Sequence, residues 1–175
     1  FTDHTSVYLA APQILRQFIA GEQPADAAVR RFMSEQNMTP FMKLLVLQST
    51  GTRNFTIYHM IISELKQMRS GCTICEYQNM VAILTDPDTQ DRILNILKRK
   101  QWLTNLAVGV SMPFHRLDEL PIAFEQARFA VTINEESGIR LASDYALDYL
   151  LRLLRENEMS SHLRHPAIPV LEHYD

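Results

Sequence analysis

The sequence predicts an α/β domain of the α+β kind, with helices packed on a mixed sheet, and three observations predict it. The run Ala107-Val108-Gly109-Val110-Ser111-Met112 is small and β-branched, as suits a strand buried on both faces. Pro113 ends it, because proline cannot donate to a sheet ladder. Directly after it, Leu117, Leu120, Phe124, Ala127 and Val131 recur at intervals of three and four, so they form one apolar stripe on a helix that begins near Asp118. Finally, Cys72 to Tyr77 and Met80 to Leu84 read as two strands joined by the tight polar link Gln78-Asn79, a β-hairpin. A hairpin among helical crossovers implies a mixed sheet, unlike the all-parallel sheet of a dinucleotide-binding fold.

The other elements follow in order. From about Pro12 to Gly21, Ile14, Leu15, Phe18 and Ile19 fall at helical spacing, and Gly21 is a fitting stop. A second helix covers Ala25 to Gln36, with Ala28, Val29, Phe32 and Met33 on one face. Phe41 to Leu47 is a near-continuous apolar run between Pro40 and Ser49-Thr50-Gly51-Thr52, which reads as a central strand. Asn54 is placed to cap the next helix, in which Tyr58, Ile61, Ile62, Leu65 and Met68 supply the buried side before Gly71 ends it. After the hairpin, Asp86-Pro87 combines an N-cap with proline at the first helical position, and Ile93, Leu94 and Leu97 mark the inner face. Pro121 is tolerated because it falls in the first turn of its helix, where N–H groups lack intrahelical partners. A short strand from Ile139 to Ala142 follows Gly138, and Ser143 is the expected cap of a last helix carrying Leu147, Leu150, Leu151 and Leu154 on one side.

Composition narrows the function classes. With 175 residues and 46% apolar content the chain has enough material for a core without disulfide or metal staples. Its apolar stretches are broken well short of a membrane span, so a soluble protein is expected, and the first residues lack the pattern of a signal peptide. The formal charge of -3 and the absence of a long basic stripe disfavour direct nucleic-acid binding. Lys98-Arg99-Lys100 is the densest basic run and reads as the solvated last turn of a helix, where cations complement the macrodipole. The five glycines are isolated and mostly punctuate element ends, so no glycine-rich phosphate loop is present.

Several residues invite chemistry. Cys72 and Cys75, the only cysteines, spell C-x-x-C. On a strand such a pair points to opposite faces, and no second pair of ligands lies nearby, so two reduced structural residues are expected in place of a redox or zinc site. His162, His165 and His173 cluster near the end, but no cysteine or closely spaced acid completes a ligand set, and Pro166 interrupts regular structure. Ser143 has no nucleophile elbow around it. The methionines, Met42, Met60, Met68 and Met80 among them, read as fillers of core gaps. No catalytic, cofactor-binding or metal-ligating residue is assigned.

The order of elements is similar to the palm-like arrangement of diguanylate cyclase domains. Val108-Gly109-Val110-Ser111-Met112-Pro113, with Leu117, Leu120, Ala123-Phe124, Ala127 and Ala130, resembles the signature of degenerate GGDEF-like domains in bacterial transcriptional regulators of the PucR/CdaR type. The tail His165-Pro166-Ala167-Ile168-Pro169-Val170-Leu171-Glu172-His173-Tyr174-Asp175 looks like the segment that leads, in that family, into a C-terminal helix-turn-helix domain. Leu15 to Gly21 is similar to the helix that precedes the GGDEF-like domain. An active cyclase carries Gly-Gly-Asp-Glu-Phe at its hairpin. The matching residues here are Tyr77-Gln78-Asn79-Met80-Val81, with neither the glycines nor the acids. The first strand should supply another carboxylate, yet no Asp or Glu lies between Glu35 and Glu64. Mg²⁺ is held by carboxylate oxygens and substrate phosphates, so losing the acids at both stations argues against nucleotide cyclisation.

The resemblance implies a helical lead-in over 1–38, a degenerate GGDEF-like domain over 39–158 and a linker over 159–175 toward a helix-turn-helix outside this chain. It implies a cytoplasmic, non-catalytic regulatory domain that couples an upstream sensory region to DNA binding. Self-association as a homodimer is expected, because helix-turn-helix proteins read paired half-sites. A small effector in the remnant cleft near Gln78 and Asn79 is a further expectation, without a motif to name it. Three alternatives stay open: the middle domain of an AraC-type response regulator, a nucleotide-binding cyclase relative, and a redox or metal sensor built on Cys72 and Cys75.

Overall fold

Every residue of the run Leu106 to Ser111 is buried, and the sheet grows outward from it. The computed structural model describes residues 11–36, 41–51, 54–68, 71–134 and 136–156. Its elements are α1 (Ala11–Ile19), α2 (Asp26–Glu35), β1 (Lys43–Ser49), α3 (Asn54–Lys66), β2 (Cys72–Tyr77), β3 (Met80–Thr85), α4 (Pro87–Arg99), β4 (Leu106–Val110), α5 (Leu120–Thr132), β5 (Gly138–Leu141) and α6 (Ala146–Glu156). The five strands lie in the order β2-β3-β1-β4-β5. All neighbours are antiparallel except β4 and β5, which run parallel across the α5 crossover. The expected mixed α+β sheet is therefore present.

The alternation of side chains along β1 divides the core into two layers. Leu44 and Val46 point to one face, where they meet Ile14, Leu15 and Ile19 of α1, Phe32 of α2, and Phe124, Ala127 and Val131 of α5. Leu45 and Leu47 point to the other, against Tyr58, Ile61 and Leu65 of α3 and Ile93, Leu94 and Leu97 of α4. Leu15 and Phe32 are fully enclosed, so the two leading helices share the core of the sheet. Burying a side chain of that size contributes about 1.5–3 kcal/mol each.

Local chemistry accounts for most boundaries. Asp86 caps α4, its carboxylate accepting from the Thr89 N–H at 2.7 Å and the Thr89 hydroxyl at 2.9 Å, with Pro87 at the first helical position. Gly21 closes α1 at φ 76°, and the following N–H of Glu22 returns to the Gln17 carbonyl. Gln78 and Asn79 both take positive φ, 50° and 61°, the requirement of a two-residue hairpin turn whose twist matches the strands.

Some expectations are corrected. β1 starts at Lys43, because Met42 makes only an isolated bridge with Phe114, and it runs on to Ser49, which pairs with Leu106. Phe41 lies half exposed beside the His115 ring instead of entering the strand. The helix expected to begin near Asp118 opens as a 3₁₀ turn, Leu117–Glu119, before α5; the Glu119 carboxylate accepts from the N–H groups of His115 and Arg116. α3 ends at Lys66, ahead of Gly71. Met33 and Met60 are half exposed, because their helices turn those positions past the rim of the core. Ser143 sits inside a 3₁₀ turn, Ala142–Tyr145, and not in the cap position of α6. The side chain of Asn54 and the segments 1–10, 37–40 and 157–175, with His162, His165, His173 and the expected linker, lie outside the described residues.

The chain divides after Asp144 into two units. In the second, α6 carries Leu147, Leu150, Leu151 and Leu154 at helical spacing, and none of its residues is buried. Among the described residues no helix is long and apolar enough to cross a membrane.

Candidate functional site

The region expected to hold a cleft, near Gln78 and Asn79, is where the C-terminal end of β1 meets the β2–β3 turn and the first turns of α3. Three independent rules bring these together. β1 pairs with β3 through Leu47 and Val81, which sets its end beside the hairpin turn. The two-residue turn holds Gln78 and Asn79 at the tip, both exposed. The apolar stripe of α3 then turns Tyr58 inward over that junction.

Tyr58 joins the two sides. Its hydroxyl accepts from the Ser49 N–H at 2.9 Å and donates to the Asn79 carbonyl at 3.0 Å, while its ring packs in the core with 5% of the residue exposed. A buried phenol needs a partner for its polar tip, and here it has two. Burial pushes the Tyr58 phenol up from its usual range; the bond from Ser49 opposes this and the Glu76 carboxylate adds to it. The group is therefore a neutral donor and acceptor at physiological pH, occupied by backbone on both counts.

What surrounds it is polar but mostly uncharged. The end of β1 presents Gln48, Ser49, Thr50 and Gly51, with the Ser49 hydroxyl and Gly51 hydrogen-bonding each other. These groups hydrogen-bond well but are poor ligands for a hard cation, which takes carboxylate oxygens. A shallow concavity of about 420 Å³ opens nearby between Ser49, Thr56, Met60, Trp102 and Asn105, and Gln78 and Asn79 do not line it. Tyr58 thus bridges the end of β1 and the hairpin turn, while this concavity lies between the end of β1 and Asn105 ahead of β4.

The remaining candidates disperse. Cys72 and Cys75 are free thiols on opposite faces of β2, Cys72 against the α3–α4 layer and Cys75 in the α1–α5 layer. Burial raises both; Cys75 reaches about 12 despite the nearby Arg16, and Asp86 adds to the rise at Cys72. Reactive cysteines show the opposite shift. Lys98 and Arg99 form the exposed last turn of α4, and Lys100 reaches Glu64 at 3.5 Å. Met42 and Met80 are buried fillers, Met68 is partly buried, and Met60 is half exposed. Among the described residues no group of three or more His, Cys, Asp or Glu gathers in a metal-binding arrangement.

The Tyr58 bridge is the feature that reading the sequence did not single out. Its signal was present: a tyrosine on an otherwise aliphatic stripe must direct its hydroxyl to something. Only the pairing of β1 with β3 supplies the partners. No family model, curated protein or solved structure matches this chain.

Proposed function

We propose that this chain is a non-catalytic regulatory domain of the degenerate GGDEF-like kind, belonging to a cytoplasmic bacterial transcriptional regulator of the PucR/CdaR type. One observation carries the reading: the gap between the first strand and the hairpin, the place of the nucleotide in an active cyclase, is bridged by Tyr58 from the Ser49 N–H to the Asn79 carbonyl. A nucleotide entering there would have to break both bonds of a buried hydroxyl. The absence of any acid between Glu35 and Glu64 and the replacement of the hairpin acids by Asn79 and Met80 support the same reading from the sequence.

In this reading the domain transmits rather than transforms. A sheet covered on both faces is a rigid body, suited to relaying a change at one end to a DNA-binding module at the other. Self-association as a homodimer would match paired half-sites on DNA, and contact with DNA would run through a helix-turn-helix, not through this net acidic chain.

The test has two parts. Incubation with GTP and Mg²⁺ is expected to give neither turnover nor saturable binding, and turnover would overturn the reading. Reading the residues that follow Asp175 in the native gene is expected to reveal one helix-turn-helix. Two such units would favour an AraC-type regulator, and none would remove the transcriptional assignment.

A further inference from the structure

β2 is an edge strand, and among the described residues no strand pairs with its outer side. The two-residue turn makes Tyr77 and Met80 a hydrogen-bonded pair, and such pairs alternate along an antiparallel ladder. Tyr77, Cys75 and Thr73 therefore direct their backbone groups to β3. Cys72, Ile74 and Glu76 direct theirs outward, where no described strand takes them.

The flanks of this edge are cationic on both faces. A trough of about 370 Å³ runs along it, bordered by Arg16 from α1 on one face, His59 and Lys66 from α3 on the other, and Ile74, Cys75 and Glu76 of β2 itself. Arg16, His59, Lys66 and Glu76 are exposed, and among the described residues no ion pair engages any of them. Successive residues of a strand point to opposite faces. Two adjacent acids on an incoming strand would thus meet Arg16 on one side of the sheet and Lys66 on the other. Glu76, the one acid bordering the trough, sits at the turn end. Lys66 lies eight residues beyond Tyr58 along α3, about 12 Å further from the turn. The acidic pair is accordingly directed away from Glu76.

A two-fold pairing of two copies centred on Ile74 would bring Glu76 of each copy toward Lys66 of the other on the α3 face, but on the α1 face it would set Arg16 of both copies beside the axis, where like charges oppose pairing. A segment with acids on both faces answers Arg16 as well as Lys66.

We propose that the open edge of β2 binds an extended polypeptide segment of a partner protein by strand addition, with adjacent acidic residues read by Arg16 and Lys66.

The experiment uses the full chain and two fluorescein-labelled peptides, Thr-Val-Glu-Glu-Val-Thr and its Lys-Lys counterpart, followed by anisotropy. The acidic peptide is expected to bind, to weaken with salt, and to lose at least tenfold in affinity to the variant Arg16→Glu/Lys66→Glu, whose changes are on exposed side chains. Ile74→Pro, which removes an outward N–H, is expected to abolish binding. Hydrogen exchange is expected to show the Cys72, Ile74 and Glu76 amides slowed by peptide. The proposal fails if both peptides bind alike, if neither binds, or if the charge-reversed variant holds the acidic peptide within twofold. It also fails if those amides slow with protein concentration alone, because the occupant is then a second copy.

Discussion

Gly109 of β4 lies directly beneath the backbone carbonyl of Ala127 on α5. A Cβ at position 109 would stand 2.8 Å from a Val131 methyl and 2.9 Å from the Ala127 carbonyl carbon, and closer still to its oxygen. The glycine is there to let a helix backbone sit against the sheet, not to supply a special dihedral. Gly109→Ala is expected to destabilise the domain by about 1–3 kcal/mol through overpacking, read as a lower urea midpoint. An unchanged midpoint would mean that α5 can lift off β4 at no cost.

The Tyr58 bridge predicts a similar loss by the opposite mechanism. Tyr58→Phe keeps the ring in the core but leaves the Ser49 N–H and the Asn79 carbonyl without their partner. The expected cost is about 1–3 kcal/mol, with faster hydrogen exchange at the Ser49 amide in the variant. If the variant matches the parent in both measurements, water replaces the hydroxyl and the cleft is open enough to admit it.

Arg140 offers a third test. It is 7% exposed, and its guanidinium donates to the Val131 carbonyl at 3.5 Å and to that of Glu136, so it closes the end of α5 where the helix dipole is negative. Arg140→Met preserves the stem and removes the donors. A loss of about 1–3 kcal/mol is expected, and thermal unfolding at neutral pH would show it.

The cysteines set a pH prediction. Their thiols are raised in the folded state by burial, Cys75 to about 12 from 9.0. A raised group binds its proton more tightly when folded, so this contribution to stability is complete below pH 9 and is lost as pH rises toward 12. Both thiols are expected to resist iodoacetamide at pH 8 in the native chain and to react once it is unfolded. Rapid alkylation of native Cys72 or Cys75 would revive the redox reading.

Glu119 titrates the other way. The N–H groups of His115 and Arg116 hold its carboxyl below the ordinary range. Whatever stability this adds is present above the unfolded carboxyl range and disappears as pH falls through the folded value. Its side-chain NMR shift is expected to titrate below that of a free glutamate, and Glu119→Gln is expected to speed exchange of the two amides.

Much of the fold was legible in the sequence because its signals are local. Asp86-Pro87 announces α4 wherever the chain goes, since the cap needs only Thr89 three residues on. Gln78-Asn79 announces a turn, and the stripe from Leu117 to Val131 announces a helix with one buried side. The absence of acids from Glu35 to Glu64 is likewise a property of the sequence alone. Where β1 begins and ends was not legible, because Ser49 belongs to the strand only by pairing with Leu106, 57 positions away in the chain. For the same reason only the tertiary structure decided that β1 lies between β3 and β4, that β2 is left at an edge with Arg16 and Lys66 beside it, and that Tyr58 spans Ser49 and Asn79. Capping, turns and stripes are decided by neighbours within a few residues. Strand order and the partners of a buried hydroxyl depend on contacts between segments that meet only when the chain closes on itself.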